Sequence, residues 1–140
     1  PEASRPGPAL PAESQSNSSH RILVVDDAPE NLDLMRAFLK RTNHHLDFAE
    51  NGQKALQLCA NNTYDLILLD IQMPELDGYA VLEELKQMIK SGQMPATPVL
   101  SLTSYAMESD RTKIMRAGFQ DHLSKPIARK TLLAAIETHA

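Results

Sequence analysis

Tryptophan is absent from these 140 residues, cysteine occurs once, and Phe and Tyr occur three times each. With aromatics at 4% of the chain and hydrophobic residues at 42%, a core must be filled by Leu, Ile, Val, Met and Ala, which suits helices packed over a sheet. Cys59 alone makes neither an internal disulfide nor a cysteine-rich metal site, which fits a reducing, cytoplasmic compartment. No apolar run approaches the roughly 18 residues of a membrane span. The first residues also lack the charged and apolar regions of a signal peptide, so spanning and secreted readings are set aside. An excess of positive charge is missing too. The 14 Lys and Arg against 18 Asp and Glu leave a net charge of −4, which argues against nucleic-acid binding. The length suits one domain.

Residues 1–19 hold four prolines, five serines and almost no large apolar group, so nothing there offsets the entropy of ordering. They read as a disordered linker or processed tail. A start at Pro1 predicts a parent chain with a domain upstream. From His20 onward short apolar runs alternate with amphipathic stretches. Ile22 to Val25, Leu66 to Leu69 and Val99 to Leu102 are runs of buried-strand length. His45 to Ala49 makes a weak second strand and Phe119 to Ser124 a short fifth. Between and after them, helices are predicted from Ala28, from Asn51-Gly52, from about Asp77, over Ala106 to Ala117 with Gly118 as a cap, and over Ala128 to Thr138. Cys59 falls on an apolar helix face and reads as core. Five strand–helix alternations predict an α/β fold, a doubly wound five-stranded parallel sheet with five helices occupying residues 20–140. Polar chemistry in such sheets collects beyond the carboxyl ends of the strands.

Those ends carry Asp26-Asp27, Asp70, Thr103 and Ser124-Lys125-Pro126. Three carboxylates at close range repel unless a cation or proton compensates them. An oxygen-only donor set suits a hard divalent ion, Mg2+ for preference. A carboxylate beside Mg2+ and a lysine can attack phosphorus, because both cations stabilise charge spreading over the transferring phosphoryl oxygens. Thr103 could donate to one of those oxygens and Lys125 pair with another.

Together, Ile22-Leu23-Val24-Val25-Asp26-Asp27, Asp65 to Pro74 with Asp77-Gly78, Leu102-Thr103 and Lys125-Pro126 resemble the receiver domain of two-component response regulators, which has a flavodoxin-like fold. The likeness runs from about Arg21 to the C-terminus, with spacings of 43, 33 and 22 residues from Asp27 through Asp70 and Thr103 to Lys125. It implies Asp70 as phosphoacceptor. It further implies Mg2+ held directly by Asp27 and Asp70, by Asp26 largely through water, and by the backbone carbonyl of Gln72. Thr103 and Lys125 become phosphoryl-contacting residues, and Pro126 a cis-peptide candidate. Three residues before the lysine the family usually has Tyr or Phe as a switch partner of the threonine. This chain has His122, an imidazole that could rotate similarly. Tyr105 is a weaker candidate for that aromatic role.

Other groups carry less. His44-His45 lacks a third ligand for a metal. Arg111, Lys113, Arg116, Arg129 and Lys130 suit a solvated face, or a docking surface of the kind the resemblance suggests for the fourth helix, fifth strand and last helix. Gln72 and Ser104 flank the path of an attacking water. The function expected from all this is a phosphorelay switch that takes a phosphoryl group from phosphohistidine onto Asp70. Its partner is a histidine kinase or histidine phosphotransfer domain, with no direct nucleic-acid or membrane contact and with a homodimer left open. The segment Asp27-Ala28-Pro29-Glu30-Asn31 looks like the version common in hybrid sensor histidine kinases, whose C-terminal receiver is the preferred parent context over a stand-alone or truncated response regulator. An aspartyl-phosphate phosphatase fits less well, since such enzymes begin with D-x-D and here Asp26 and Asp27 are adjacent. A non-phosphorylated interaction module would leave the full set of pocket residues without a use.

Overall fold

The computed structural model describes residues 19–104 and 108–140, with Glu108 through its backbone only. The expected linker, Ser19 apart, and Tyr105 lie outside the described residues. Ten elements alternate along the chain: β1 (Arg21–Val25), α1 (Pro29–Phe38), β2 (His45–Ala49), α2 (Gly52–Asn61), β3 (Leu66–Asp70), α3 (Gly78–Lys90), β4 (Val99–Thr103), α4 (Glu108–Ala117), β5 (Asp121–Ser124) and α5 (Arg129–His139). The strands form one parallel sheet in the order β2-β1-β3-β4-β5.

Burial explains why some strands are plain in the sequence and others faint. All of β3 and β4 is buried, as is β1 from Ile22 on, whereas the edge strands β2 and β5 are mostly half-buried. A central parallel strand is covered on both faces and so reads as an unbroken apolar run. Alternation along each strand then divides the core in two. Leu23, Val25, Ile67, Leu69 and Val99 pack under α2, α3 and Ile114 of α4. On the other face, Ile22, Val24, Leu68, Leu100 and Leu102 pack with Met35 of α1 and Leu132 and Ile136 of α5.

Local signals start and stop the helices. Pro29 stands in the first turn of α1, where its missing N–H costs nothing. Asn51 and Asp77 cap α2 and α3, accepting from Lys54 N at 2.8 Å and Ala80 N at 2.9 Å. Gly118 ends α4 at φ +116°, a conformation that side chains resist. The fifth strand is shorter than its apolar start suggests and begins at Asp121 rather than Phe119. Phe119 leaves the ladder because its ring is buried beneath α3, edge-on to Tyr79 at 6.0 Å between centroids. The ladder itself is picked up by Gln120, whose N–H donates to Val99 O at 2.9 Å.

Because β1 lies between β2 and β3, chain direction from the sheet centre reverses at the β1/β3 boundary. The crevice beyond their carboxyl ends is the topological switch point of the sheet.

Candidate functional site

Parallel strands present all their carboxyl ends at one edge, and the residues that follow β1, end β3 and β4, and follow β5 meet there. Backbone bonds extend the ladder just past the strands and pin these positions. Asp26 N donates to Ala49 O at 3.0 Å, Ile71 N to Leu102 O at 3.1 Å, and Lys125 N to Thr103 O at 2.8 Å. The Lys125–Pro126 peptide bond is cis.

At the centre, Lys125 Nζ bridges two carboxylates, 2.9 Å from Asp26 Oδ2 and 3.0 Å from Asp70 Oδ2. Asp26 is wholly buried and Asp70 is 2% exposed. The remaining oxygens are held by backbone: Asp26 Oδ1 accepts from Ala28 N at 2.9 Å, and Asp70 Oδ1 from Gln72 N at 3.0 Å. Burial pushes the Asp70 carboxyl up to about 6, helped by the neighbouring Asp26 and opposed by the Gln72 N–H and the Lys125 ammonium. Burial works against charge on Lys125 as well, but hydrogen bonds and attraction from Asp26 and Asp70 outweigh it and raise its pKa. The ammonium therefore stays charged at neutral pH.

Asp27 completes the group. It is exposed, yet one carboxylate oxygen from each of Asp26, Asp27 and Asp70 falls within 4.8 Å of the others. Three ionised carboxylates and one ammonium would leave an excess of two negative charges, and all the donors are hard oxygens. That set fits a divalent cation of the magnesium type better than zinc or copper. Among the described residues no other His, Cys, Asp and Glu group of three comes as close. His44 and His45 lie at the far end of the sheet, His44 stacked on His20 at 5.3 Å and His45 Nε2 3.1 Å from Asp47 Oδ1.

Thr103 is buried at the end of β4. It lines an open cleft of about 260 Å³ with Gln72, Tyr79, Asp110, Lys113 and Ile71. One strand over, His122 Nε2 accepts from Arg111 Nε at 3.2 Å. Its Nδ1 is buried without a hydrogen bond, 3.7 Å from Asp121 Oδ1. Ser101, its register partner on β4, is wholly buried with its hydroxyl likewise unpartnered. Of the basic residues, Lys113 Nζ stands over the Tyr79 ring at 4.8 Å. Arg129, the first residue of α5, donates from Nε to Phe38 O of α1 at 3.3 Å.

Two residues that the sequence offered only inside motifs, with no role assigned, belong to the site. Asn31, in the first turn of α1, donates from Nδ2 to Asp26 Oδ2 at 3.1 Å. Gly78 starts α3 so close to the β3 end that a Cβ there would lie 2.5 Å from Asp70 O and 2.6 Å from Ile71 Cα. Their sequence signals were the Asp27-Ala28-Pro29-Glu30-Asn31 segment and the Asp77-Gly78 pair, neither of which says what the side chain or the missing Cβ meets.

Comparison with known proteins agrees with this geometry. The response regulator receiver domain model matches residues 22–137. The signal transduction histidine-protein kinase BarA of Escherichia coli K12 is 36% identical over 123 residues, which is 88% of this chain but 13% of that protein. Protein PilH of Pseudomonas aeruginosa is 35% identical over 116 residues, 83% of this chain and 93% of PilH. Among solved structures, the receiver domain of a sensor histidine kinase from P. aeruginosa PAO1, determined with a magnesium ion coordinated in its active site cleft, superposes with a TM-score of 0.76. It is 29% identical, covering 87% of this chain and 98% of that one. Sheet order, the acid pair after β1, the aspartate ending β3 and the lysine after β5 thus come together in a chain that belongs to the response regulator receiver domain family.

Proposed function

We propose that residues 20–140 act as a phosphoacceptor switch, taking a phosphoryl group from a phosphohistidine onto Asp70 in the presence of Mg2+. The observation that carries this is Lys125, whose ammonium sits between Asp70 and Asp26 in a buried pocket. A cation so placed is 3.0 Å from the nucleophilic carboxylate and within reach of a phosphoryl group arriving on it.

An Asp70 oxygen attacks phosphorus, the phosphorus–nitrogen bond to the donor imidazole breaks, and that imidazole leaves with its electron pair and takes up a proton. The product is an aspartyl phosphate. Asp27 and Asp70, with the Gln72 carbonyl and water-mediated help from Asp26, would hold Mg2+, which supplies charge neutralisation for the phosphoryl oxygens. Lys125 pairs with one of those oxygens and the Thr103 hydroxyl donates to another. Movement of Thr103 is relayed to His122, the ring one strand away. Hydrolysis, with Gln72 and Ser104 flanking the path of the water, returns the Asp70 carboxylate and releases inorganic phosphate.

The partner is a histidine kinase or histidine phosphotransfer domain in the cytoplasm. The parent protein we favour is a hybrid sensor kinase, supported by the likeness to BarA and by Asp27-Ala28-Pro29-Glu30-Asn31. Incubation with a phosphorylated histidine phosphotransfer domain tests the reading. The phosphoryl group should move to this chain only with Mg2+ and become sensitive to hydroxylamine, as an acyl phosphate is. Label that stays on the donor under all conditions contradicts it.

A further inference from the structure

The Lys125 ammonium is shared between two buried carboxylates, Asp26 and Asp70. A phosphoryl group on Asp70 would draw it from Asp26 toward the phosphoryl oxygens, because forming the acyl phosphate moves the negative charge of that side chain onto them. Asp26 Oδ2 then loses its ammonium while remaining wholly buried, and a buried carboxylate stripped of its cation is strongly destabilised. One other side-chain donor on that same oxygen is Asn31 Nδ2, at 3.1 Å.

We propose that Asn31 is a positioning residue for phosphorylation: its amide retains Asp26 Oδ2 while Lys125 transfers from that carboxylate to the phosphoryl group. The inference rests on Asp70 being the phosphoacceptor. Three features of the residue fit the task. Its position is fixed, since Asn31 N donates to Ala28 O at 3.0 Å and Pro29 holds the backbone of the turn. Its direction is outward. An asparagine serving its own helix would accept a backbone N–H through its oxygen, whereas here the nitrogen donates to the carboxylate of the preceding strand end. Its charge is zero. An acid at this place would add to three carboxylates, and a lysine would compete with the divalent ion for their charge, while an amide satisfies the oxygen and leaves the electrostatic balance unchanged. With Ala28 N–H on Oδ1 and the positive end of α1 beside it, Asp26 keeps a donor on each oxygen after Lys125 has gone.

In the free protein Lys125 still covers Asp26 Oδ2, so loss of the amide should be felt little there and strongly in the phosphoryl-bound state. The test compares wild type with Asn31→Ala and Asn31→Ser on the full chain. It measures the urea midpoint of the free protein, the affinity for beryllofluoride with Mg2+ as an unreactive phosphoryl mimic, and the rate of phosphorylation by acetyl phosphate at saturating Mg2+. Asn31→Ala should leave the midpoint nearly unchanged and weaken beryllofluoride binding about tenfold, the scale of one hydrogen bond to a charged group. Phosphorylation should slow to a similar extent, and Asn31→Ser, which keeps a shorter donor, should fall between. Affinity and rate within twofold of wild type in either variant overturn the proposal, whatever the midpoint does. If wild type itself neither binds beryllofluoride nor gains a phosphoryl group, the phosphoacceptor reading fails and takes this one with it. Binding by wild type with no effect of Asn31→Ala removes the Asn31 role alone.

Discussion

Asp70 is held in a state that costs stability. A carboxylate whose pKa rises on folding to about 6, from an ordinary value of about 4, binds protons more tightly in the folded chain than in the unfolded one. Stability therefore falls as pH rises between those two values, and the loss is complete above the folded value. With divalent ions chelated, Asp70→Asn should be more stable than wild type by about 2 kcal/mol at pH 7 and should flatten the slope between pH 4 and 6. Urea denaturation across that range is the check, and an advantage of Asp70→Asn over wild type that does not grow from pH 4 to pH 7 would contradict it. Ser101 carries a different cost, a buried hydroxyl with no partner. Ser101→Ala removes it with little loss of volume and should raise stability by about 1 kcal/mol by the same measurement. Neither effect was legible in the sequence. Asp70 was recognisable from its place at the end of an apolar run, but its perturbation comes from burial by the folded chain, with Asp26 adding to it and Lys125, 55 positions away, opposing it. Ser101 is one small residue in a strand, and its isolation shows only once His122 is placed beside it.

The elements were legible in proportion to how their burial shows in composition. The strands β1, β3 and β4 announced themselves as continuous apolar runs because helices cover both their faces. The fifth is two residues shorter than its apolar start suggests, since an apolar Phe119 reads the same whether it extends a strand or plugs the gap beneath a helix. Asn31 was legible as part of Asp27-Ala28-Pro29-Glu30-Asn31 but not as a partner of Asp26, because spacing along one helix says nothing of which strand end lies opposite it. The loop from β3 to α3 shows the same limit. Gly78 allows the start of α3 to press against the backbone of Asp70 and Ile71, with Gly78 N donating to Ile71 O at 2.9 Å. Gly78→Ala would drive a Cβ into backbone atoms that cannot step aside, and should cost about 2 kcal/mol or more in a urea melt. Phosphorylation should slow as well, because the displaced backbone belongs to Asp70, the proposed acceptor. The cap one residue earlier gives a milder control. Asp77→Ala should cost about 1 kcal/mol and leave the phosphorylation rate near wild type.

For the molecule as a whole, fold and site are one arrangement. A parallel sheet whose chain order reverses between β1 and β3 gathers side chains from residues 26 to 125 at one edge. The same arrangement leaves an acidic pocket that the fold alone satisfies incompletely. Among the described residues no helix is long and apolar enough to cross a membrane. Binding of Mg2+ to the folded chain alone should stabilise it by about 3 kcal/mol at a hundred times the dissociation constant. A thermal melt against Mg2+ concentration should therefore shift upward in wild type, and much less in Asp27→Asn. The central claim, that Asp70 accepts a phosphoryl group in a cation-dependent way, is met most directly by intact-mass spectrometry after incubation with acetyl phosphate and Mg2+. Wild type should gain one phosphoryl group, with no gain in Asp70→Asn or when the metal is chelated. Equal gain in wild type and Asp70→Asn, or no gain in wild type that binds Mg2+, would contradict it.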